Sequence, residues 1–254
     1  MAKVHDIFSQ LCAWAPLELQ MEFDNSGFLI GRAEREVHRV LLSLDITMPV
    51  IEEASRLGAE LIISHHPLIF LPLKSLTSPG PGSKALLLAE KGIAAICMHT
   101  NLDIAENGVN DVLIRLLGGE PETAVDREGC GRVGTLPEPL ALGDFLLRCR
   151  ERLHTNGIRY VDGGKPVHRL AVLAGAGGDA LLDAVEKGCD TFVTANVKYH
   201  VFLEAAEQGV NLIDADHFCT ENPVIPVLAN RLADAFPEVE FLVSETHKQV
   251  ISFF

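Results

Sequence analysis

Residues 59–68 read Ala59-Glu60-Leu61-Ile62-Ile63-Ser64-His65-His66-Pro67-Leu68, an apolar run that ends in two adjacent histidines and a proline. Neighbouring side chains on a strand point to opposite faces, so both imidazoles can serve one pocket only where the strand has ended and the backbone turns. Pro67 favours such a turn, because it fixes its own φ and disfavours helical geometry at His66. We interpret the segment as a buried strand that delivers two imidazole ligands to a cavity. The alternative is a polar loop that carries two ordinary histidines.

A strand and a helix are predicted immediately before this segment. The run Val40-Leu41-Leu42-Ser43-Leu44-Asp45 predicts a buried strand. Thr47 as N-cap and Gly58 as C-terminal cap then predict a helix between the two strands. Such a strand–helix–strand unit forms a parallel pair with a right-handed crossover, and ligands of these sheets collect beyond the carboxyl ends of the strands. The two histidines follow one of those ends.

The rest of the first half predicts further α/β elements. Phe28-Leu29-Ile30, after the turn sequence Asp24-Asn25-Ser26-Gly27, indicates a short strand in a hairpin or at an edge. Other patterns predict helices over 3–13, 84–91 and 109–117, a strand over 93–98, and loop with a short strand over 119–139.

The second half repeats this order. Gly188-Cys189-Asp190-Thr191-Phe192-Val193-Thr194 has the layout of residues 58–64, and Ala206-Glu207-Gln208-Gly209-Val210 has that of residues 89–93. Two copies of one unit are therefore predicted. The expected fold class is α/β, with two similar intertwined repeats, each a mixed, mostly parallel sheet flanked by helices, and a metal site in the cleft between them. The expected domains are 1–125 and 126–254, with the last helix and strand able to pack back on the first.

Composition excludes several classes of protein. Of the 254 residues 48% are hydrophobic, which disfavours disorder, and the net charge of −14 disfavours duplex nucleic acid as a ligand. A local basic pocket for one phosphorylated small molecule remains compatible with that charge. The six cysteines never fall at Cys-x-x-Cys spacing, and no apolar run reaches the length of a membrane span. We expect free thiols, a cytoplasmic location and no membrane segment.

Residues suited to metal binding follow three predicted strands. They are His65 and His66, then His99 and Asp103, then His217 and Glu221. Imidazole with carboxylate suits Zn, Fe, Mn, Ni or Co better than Ca or Mg. These groups exceed the needs of one open catalytic metal, and shared between two ions they leave positions for water.

Five motifs carry a family resemblance. They are Asp24-Asn25-Ser26-Gly27, Ser64-His65-His66-Pro67, His99-Thr100-Asn101-Leu102-Asp103, Thr194-Ala195-Asn196-Val197-Lys198-Tyr199-His200 and His217-Phe218-Cys219-Thr220-Glu221. Together they resemble the Nif-three-like dinuclear metal-centre family, also called GTP cyclohydrolase I type 2 homologues. Two departures stand beside the site: Ala195-Asn196 replaces the usual Gly-acid pair, and Asp216 replaces the usual glycine.

The resemblance implies a ligand set, an assembly and an activity. It implies two divalent metal ions held by His65, His66, Asp103, His217 and Glu221, with Glu221 as the bridge. It places His99 and His200 either behind the metal ligands or on the substrate side, and it implies a homohexamer. For a hydrolase, His99 and His200 are the candidates for proton transfer. The implied activity is hydrolysis by a metal-bound hydroxide on a small molecule such as a nucleotide, as in a GTP cyclohydrolase. The alternative is a non-catalytic protein that stores or delivers metal, or an assembly that binds partners.

Overall fold

The structure is a computed structural model that describes all 254 residues. The chain divides into two compact units, each discontinuous in sequence. The first comprises residues 1–105 and 225–248, and the second comprises residues 106–224 and 249–254. Each has one mixed sheet flanked by helices, so the predicted α/β class is confirmed. The predicted domains, 1–125 and 126–254, stay a prediction, because the two compact units are defined by spatial packing and not by repetition along the chain.

The first unit contains five strands and five helices. Numbered along the chain, its strands are β1 (Gly27–Ile30), β2 (Arg39–Ser43), β3 (Leu61–Ser64), β4 (Ala94–Cys97) and β11 (Glu240–Val243). Its helices are α1 (Val4–Trp14), α2 (Met48–Leu57), α3 (Ser83–Lys91), α4 (Thr100–Ile104) and, apart from its first residue, α10 (Val224–Ala235).

The sheet of the first unit has the order β1-β4-β3-β2-β11. The strands β4, β3, β2 and β11 pair in parallel, as the strand–helix–strand pattern predicts. The strand β1 pairs antiparallel with β4 at the edge, which confirms the edge strand expected after residue 27. Every residue of β3 and β4 is buried, as expected for parallel strands covered by helices.

The second unit contains six strands and five helices. Its strands are β5 (Glu120–Thr123), β6 (Arg132–Leu140), β7 (Arg159–Val161), β8 (Val167–Val172), β9 (Thr191–Thr194) and β10 (Asn211–Asp214). Its helices are α5 (Val109–Leu116), α6 (Leu142–Leu153), α7 (Leu181–Glu186), α8 (Tyr199–Gln208) and α9 (His217–Glu221). The sequence patterns predicted neither α6 nor α9, and β6 is longer than the short strand expected before residue 139.

The sheet of the second unit has the order β5-β6-β8-β9-β10-β7. The strands β8, β9 and β10 are parallel, whereas the pairings of β5 with β6, β6 with β8, and β7 with β10 are antiparallel. The parallel part therefore occupies the middle of the sheet, and antiparallel strands are added on both sides of it.

The same succession of elements builds both sheets. In each unit three parallel strands alternate with two helices, and a short helix follows the third strand. Gly58 and Gly92 end the connecting helices α2 and α3 in the left-handed conformation that glycine favours. Gly188 and Gly209 have positive φ at the corresponding places after α7 and α8. The repeated order predicted from residues 58–64 and 188–194 is confirmed.

Each unit has its own apolar core. In the first, Val50 and Ile51 of α2 pack with Leu41 and Ile62 of the sheet. In the second, helices α7 and α8 cover the face of β9 and β10 that carries Phe192 and Leu212. No helix combines the length and the apolar character that a membrane crossing requires.

Candidate metal centre

Three imidazoles of the first unit lie together where β3 and β4 end. His65 and His66 follow β3, and His99 follows the parallel strand β4. The ring centroids are 5.0 Å apart for His65 and His66, 5.2 Å for His65 and His99, and 5.5 Å for His66 and His99. One nitrogen of each ring lies within 4.8 Å of the others. The parallel pair thus gathers three imidazoles at the sheet edge where ligands bind.

The backbone turns at the double histidine. At the end of β3, the hydroxyl of its last residue, Ser64, donates to the carbonyl of His66 at 2.7 Å, and the His66 amide donates to the carbonyl of Leu44 at 2.9 Å. The rings of His65 and His66 are therefore not held to the opposite faces that a continuous strand would impose. This is the turn that the sequence Ser64-His65-His66-Pro67 predicts.

The proton of His65 is placed by a backbone carbonyl. Its Nδ1 lies 2.9 Å from the carbonyl oxygen of Met98, and the residue is 1% exposed. A carbonyl oxygen only accepts, so Nδ1 carries the proton and donates it. The lone pair of His65 is therefore on Nε2, which lies 3.6 Å from Oδ1 of Asp103 on α4. The structure thus brings together two of the predicted ligands, His65 and Asp103.

His66 is held by a carboxylate that also binds a histidine from the C-terminal part of the chain. Its Nδ1 lies 2.8 Å from Oδ1 of Asp45, and Nε2 of His247 lies 2.9 Å from Oδ2 of the same carboxylate. Burial by itself would raise the pKa of Asp45, but the hydrogen bonds and charges of His247 and His66 lower it well below its ordinary value. The ionised carboxylate accepts the Nδ1 proton of His66, so the lone pair is again on Nε2.

His99 is held in the same way by the Asp24-Asn25-Ser26-Gly27 motif. Its Nδ1 lies 2.8 Å from Oδ1 of Asp24, whose other oxygen accepts from Ser26 Oγ at 2.9 Å and the Thr100 amide at 3.0 Å. Burial opposes ionisation of Asp24, but hydrogen bonds from His99 and Thr100 lower its pKa well below the ordinary value. Asp24 therefore fixes the proton on Nδ1 of His99, which joins His65 and His66 in one cluster.

In the second unit, two further predicted ligands lie on α9. His217 and Glu221 are one helical turn apart, and Nε2 of His217 lies 3.0 Å from Oε2 of Glu221. The other ring nitrogen, Nδ1, lies 3.0 Å from the amide nitrogen Nδ2 of Asn196. Asn196 itself has the positive φ of 53° that asparagine tolerates. The Nδ1 atom of His217 therefore contacts a side-chain amide, whereas the Nδ1 atoms of the imidazoles in the first unit contact a carboxylate or a backbone carbonyl.

Asp216, at the N-cap of α9, has a backbone conformation that favours glycine. Its φ is 77°, which is rare for a residue with a side chain. The Asp216 carboxylate compensates in part, because it accepts from the Cys219 amide at 3.1 Å and from the side-chain amide of Gln249. The departure at this position is therefore accommodated by N-capping of the helix that carries His217 and Glu221.

Gly175 makes room for Glu221. Its φ is 70°, and a Cβ at this position would lie 2.1 Å from Oε1 of Glu221 and 3.3 Å from Cε1 of His217. Its amide donates to Thr220 Oγ1 at 3.0 Å, which ties the turn after β8 to α9. Only glycine leaves the carboxylate of Glu221 in its observed position.

His200 lies apart from these clusters. It is exposed on the first turn of α8, and its side chain makes no hydrogen bond or ion pair. Its assignment to proton transfer stays a prediction of the resemblance, as does that of His99.

Several residues that position the side chains of the site had no such role assigned to them from the sequence. They are Asp24, Asp45, Gly175, Asn196 and His247. Asp45 lies two residues beyond the end of β2, so the rule that polar residues after parallel strands face ligands would have found it. Asn196 follows β9 in the same way. His247 has no such signal, because only the folded chain brings it to Asp45.

The donor chemistry fits a divalent transition metal. One ring nitrogen of each of His65, His66 and His99 lies in a single cluster, and Asp103 adds a carboxylate beside His65. Imidazoles that bind metals commonly donate their other N–H to a carboxylate or carbonyl, as all three do here. A donor set this rich in nitrogen suits Zn, Fe, Mn, Ni or Co rather than Ca or Mg.

Comparisons with known proteins find similarity over nearly the whole chain. The family model Duf34/NIF3 (NGG1p interacting factor 3) matches residues 2–250. A GTP cyclohydrolase 1 type 2 homolog of Clostridium perfringens is 32% identical over 260 residues, covering 99% of each chain. The crystal structure of a hypothetical protein of Staphylococcus aureus superposes with a TM-score of 0.91 at 28% identity, covering 99% of each chain. A Bacillus cereus protein related to NIF3 superposes at 0.87 with 26% identity, covering 100% of this chain and 99% of that one. The chain therefore belongs to the Duf34/NIF3 family.

Proposed function

We propose that the protein binds two divalent transition-metal ions and uses them to hydrolyse a small molecule. The proposed ligands are His65, His66, Asp103, His217 and Glu221, with Glu221 as the bridge. One observation carries the metal proposal. Three clustered imidazoles of the first unit all have Nδ1 engaged by a carbonyl or an ionised carboxylate, and one ring nitrogen of each lies within 4.8 Å of the others.

The roles of the protein's own groups follow from their contacts. Asp45 and Asp24 orient His66 and His99 and hold their protons on Nδ1. Bound divalent ions would polarise a substrate oxygen and lower the pKa of a water molecule, which is the chemistry that hydrolysis needs. We assign proton transfer to His99 and His200, because an imidazole can both donate and accept a proton. A nucleotide is the proposed substrate class, by analogy with the names of the relatives.

Metal analysis tests the proposed ligands. We expect two equivalents of metal in the wild-type protein and less than half of that in His66→Ala or Glu221→Ala. The control is His5→Ala, which removes an exposed imidazole of α1 and should leave the metal content unchanged. Equal metal content in all four proteins would contradict the ligand assignment.

An activity screen tests hydrolysis separately. Protein loaded with Zn, Mn or Fe should turn over GTP or a phosphoester. His200→Ala should keep its metal and lose most of its activity, whereas Glu221→Ala should lose both. Full metal content without turnover of any substrate would exclude hydrolysis of these compounds and leave the metal site standing.

One observation favours the second candidate, metal storage or delivery. The side chains of His66 and His217 are 23% and 31% exposed within this chain, so they can be reached by an acceptor. Rapid transfer of bound metal to a chelating acceptor, with no turnover, would support this function. Slow release together with turnover would exclude it.

The assembly and the location are also proposals. A homohexamer is implied by the family resemblance, and light scattering on the purified protein would test it. A hexamer mass supports it, and a monomer mass contradicts it. The six free cysteines fit a reducing compartment such as the cytoplasm, which localisation of a tagged chain would test.

A further inference from the structure

The second unit carries a cavity whose charge is opposite to that of the whole chain. It has a volume of about 520 Å³ and lies against α5, α6 and the end of β6. Three arginines line it, Arg115, Arg148 and Arg152, against one carboxylate, Glu138. The chain as a whole has a net charge of −14. An excess of guanidinium in one cavity of an acidic protein points to an anionic ligand.

The three guanidiniums are only partly used by the protein. Arg115 donates to Asn107 Oδ1 at 3.0 Å and stands 3.7 Å from the nearest oxygens of Asp111 and Glu120. Arg148 makes one hydrogen bond, at 3.1 Å, to the carbonyl of Leu117. Arg152 makes no hydrogen bond or ion pair. Most of the N–H groups on Arg148 and Arg152 therefore remain available to a ligand.

Arg148 is positioned by its contacts with Leu117 and Gly118, and Arg152 lies near it on the same helix. Arg148 and Arg152 are one turn apart on α6, so they share a face of that helix. Gly118 has a φ of 97°, and a Cβ there would lie 2.6 Å from Nη1 of Arg148. The glycine thus lets Arg148 reach the carbonyl of Leu117 at the end of α5. The contact of Arg148 with the Leu117 carbonyl stabilises the end of α5, which gives Arg148 a structural role. Arg152 makes no such contact, so this role does not explain its presence at the cavity.

The shape and lining of the cavity define the ligand further. Its volume falls in the range of small-molecule sites, about 300–1,000 Å³. Leu116 and Leu140 add apolar surface beside the arginines. Arginine forks match the paired oxygens of phosphate or carboxylate. A ligand with an oxyanion group and an apolar body would use both parts of the lining.

We propose that this cavity binds the phosphate group of a small phosphorylated organic molecule through Arg148 and Arg152. All of its lining residues belong to the second unit, and none is a proposed metal ligand. The proposal therefore does not depend on the proposed hydrolase function.

Calorimetry with phenylphosphonate tests the proposal, because this probe has a phosphoryl group and no ester bond to hydrolyse. The wild-type protein should bind one equivalent. Arg148→Gln/Arg152→Gln should weaken binding about tenfold or more, because two charged hydrogen-bond donors are lost. Arg150→Gln is the matched control, because it removes one positive charge from the same helix outside the cavity. Its affinity should stay within about twofold of wild type.

Two further measurements separate the alternatives. Arg152→Gln removes no internal hydrogen bond, so it should melt like the wild type and still bind the probe several-fold more weakly. Benzoate in place of phenylphosphonate distinguishes a carboxylate site, which tighter benzoate binding would indicate. The proposal is overturned if the wild type binds neither probe saturably, if Arg150→Gln weakens binding as much as the double variant, or if a chelator that strips metal abolishes binding.

Discussion

The imidazoles of the two units are held by chemically different partners. In the first unit, the carboxylates of Asp24 and Asp45 lie 2.8 Å from Nδ1 of His99 and His66. In the second, the side-chain amide of Asn196 lies 3.0 Å from Nδ1 of His217. An ionised carboxylate only accepts, so it fixes the imidazole proton on Nδ1. A primary amide has both a donor and an acceptor, so it does not fix that proton.

The difference bears directly on metal affinity. If Asn196 donates to Nδ1, the proton of neutral His217 is on Nε2, where it can be donated to Glu221 at 3.0 Å. Nε2 then has no lone pair for a metal, and the amide must rotate before the imidazole can bind through that atom. We therefore expect the cluster of His65, His66 and His99 in the first unit to hold a metal ion more tightly than the pair of His217 and Glu221 in the second unit.

The largest expected effect comes from Gly175→Ala, which should abolish metal binding by the second unit. The added methyl group would lie 2.1 Å from Oε1 of Glu221, at a φ of 70°. We expect the metal content to fall by one equivalent and the free energy of unfolding to fall by about 1–3 kcal/mol. Metal analysis and chemical denaturation measure these two quantities.

Gly188→Ala is the matched control for this variant. Gly188 has a φ of 73°, and a Cβ there would meet no atom within 4 Å. It carries the same backbone strain without the clash against Glu221. It should therefore lose stability but keep its metal. Equal loss of metal in both variants would show that backbone strain, and not the position of Glu221, controls binding.

The next largest effect is expected for Asp45→Asn, which replaces the carboxylate partner of His66 by an amide, the kind of partner that His217 has. Outer partners of metal-binding histidines typically contribute about 10–100-fold in affinity, so we expect a loss in that range at the cluster in the first unit. Competition against a chelator measures the affinity. Glu60→Gln is the control, because it makes the same carboxylate-to-amide change next to the amino end of β3, where Glu60 accepts from Arg39.

The reverse change, Asn196→Asp, should tighten metal binding at the pair of His217 and Glu221 by about tenfold, the lower end of that range. Aspartate tolerates the positive φ of this position. Nitrogen NMR shifts of the His217 ring in the metal-free protein should move to the Nδ1–H tautomer. Gln208→Glu adds the same charge on an exposed site of α8 and should change neither quantity. Unchanged ring shifts in Asn196→Asp would refute the proposed role of the amide.

The comparison also shows what the sequence can predict. The clustering of His65, His66 and His99 was predictable, because local patterns identify parallel strands and such strands place their following residues at one edge. The contact between Asp45 and His247 was not, since the two residues are 202 positions apart and only tertiary packing joins them. The antiparallel strand β6 was predicted only as a short strand, because Gly and Pro between residues 119 and 139 suggested loop, and the helix α6 was not predicted.

The smallest expected effect concerns stability at acid pH, where the carboxylate of Asp24 and the amide of Asn196 should behave differently. The pKa of Asp24 is lowered in the fold from its ordinary value of 3.8, chiefly by hydrogen bonds from His99 and Thr100 against the opposing effect of burial. A lowered pKa stabilises the fold fully above the ordinary value, and this stabilisation is lost as the pH falls through it. In metal-free protein, the difference in unfolding free energy between wild type and Asp24→Asn should therefore be constant above about pH 5 and shrink below it. Asn196 has no carboxyl group, so the difference between wild type and Asn196→Ala should not shrink in this way below about pH 5. Urea denaturation from pH 7 to 3 measures both differences, and a pH-independent difference for Asp24→Asn would contradict the assigned ionisation of Asp24.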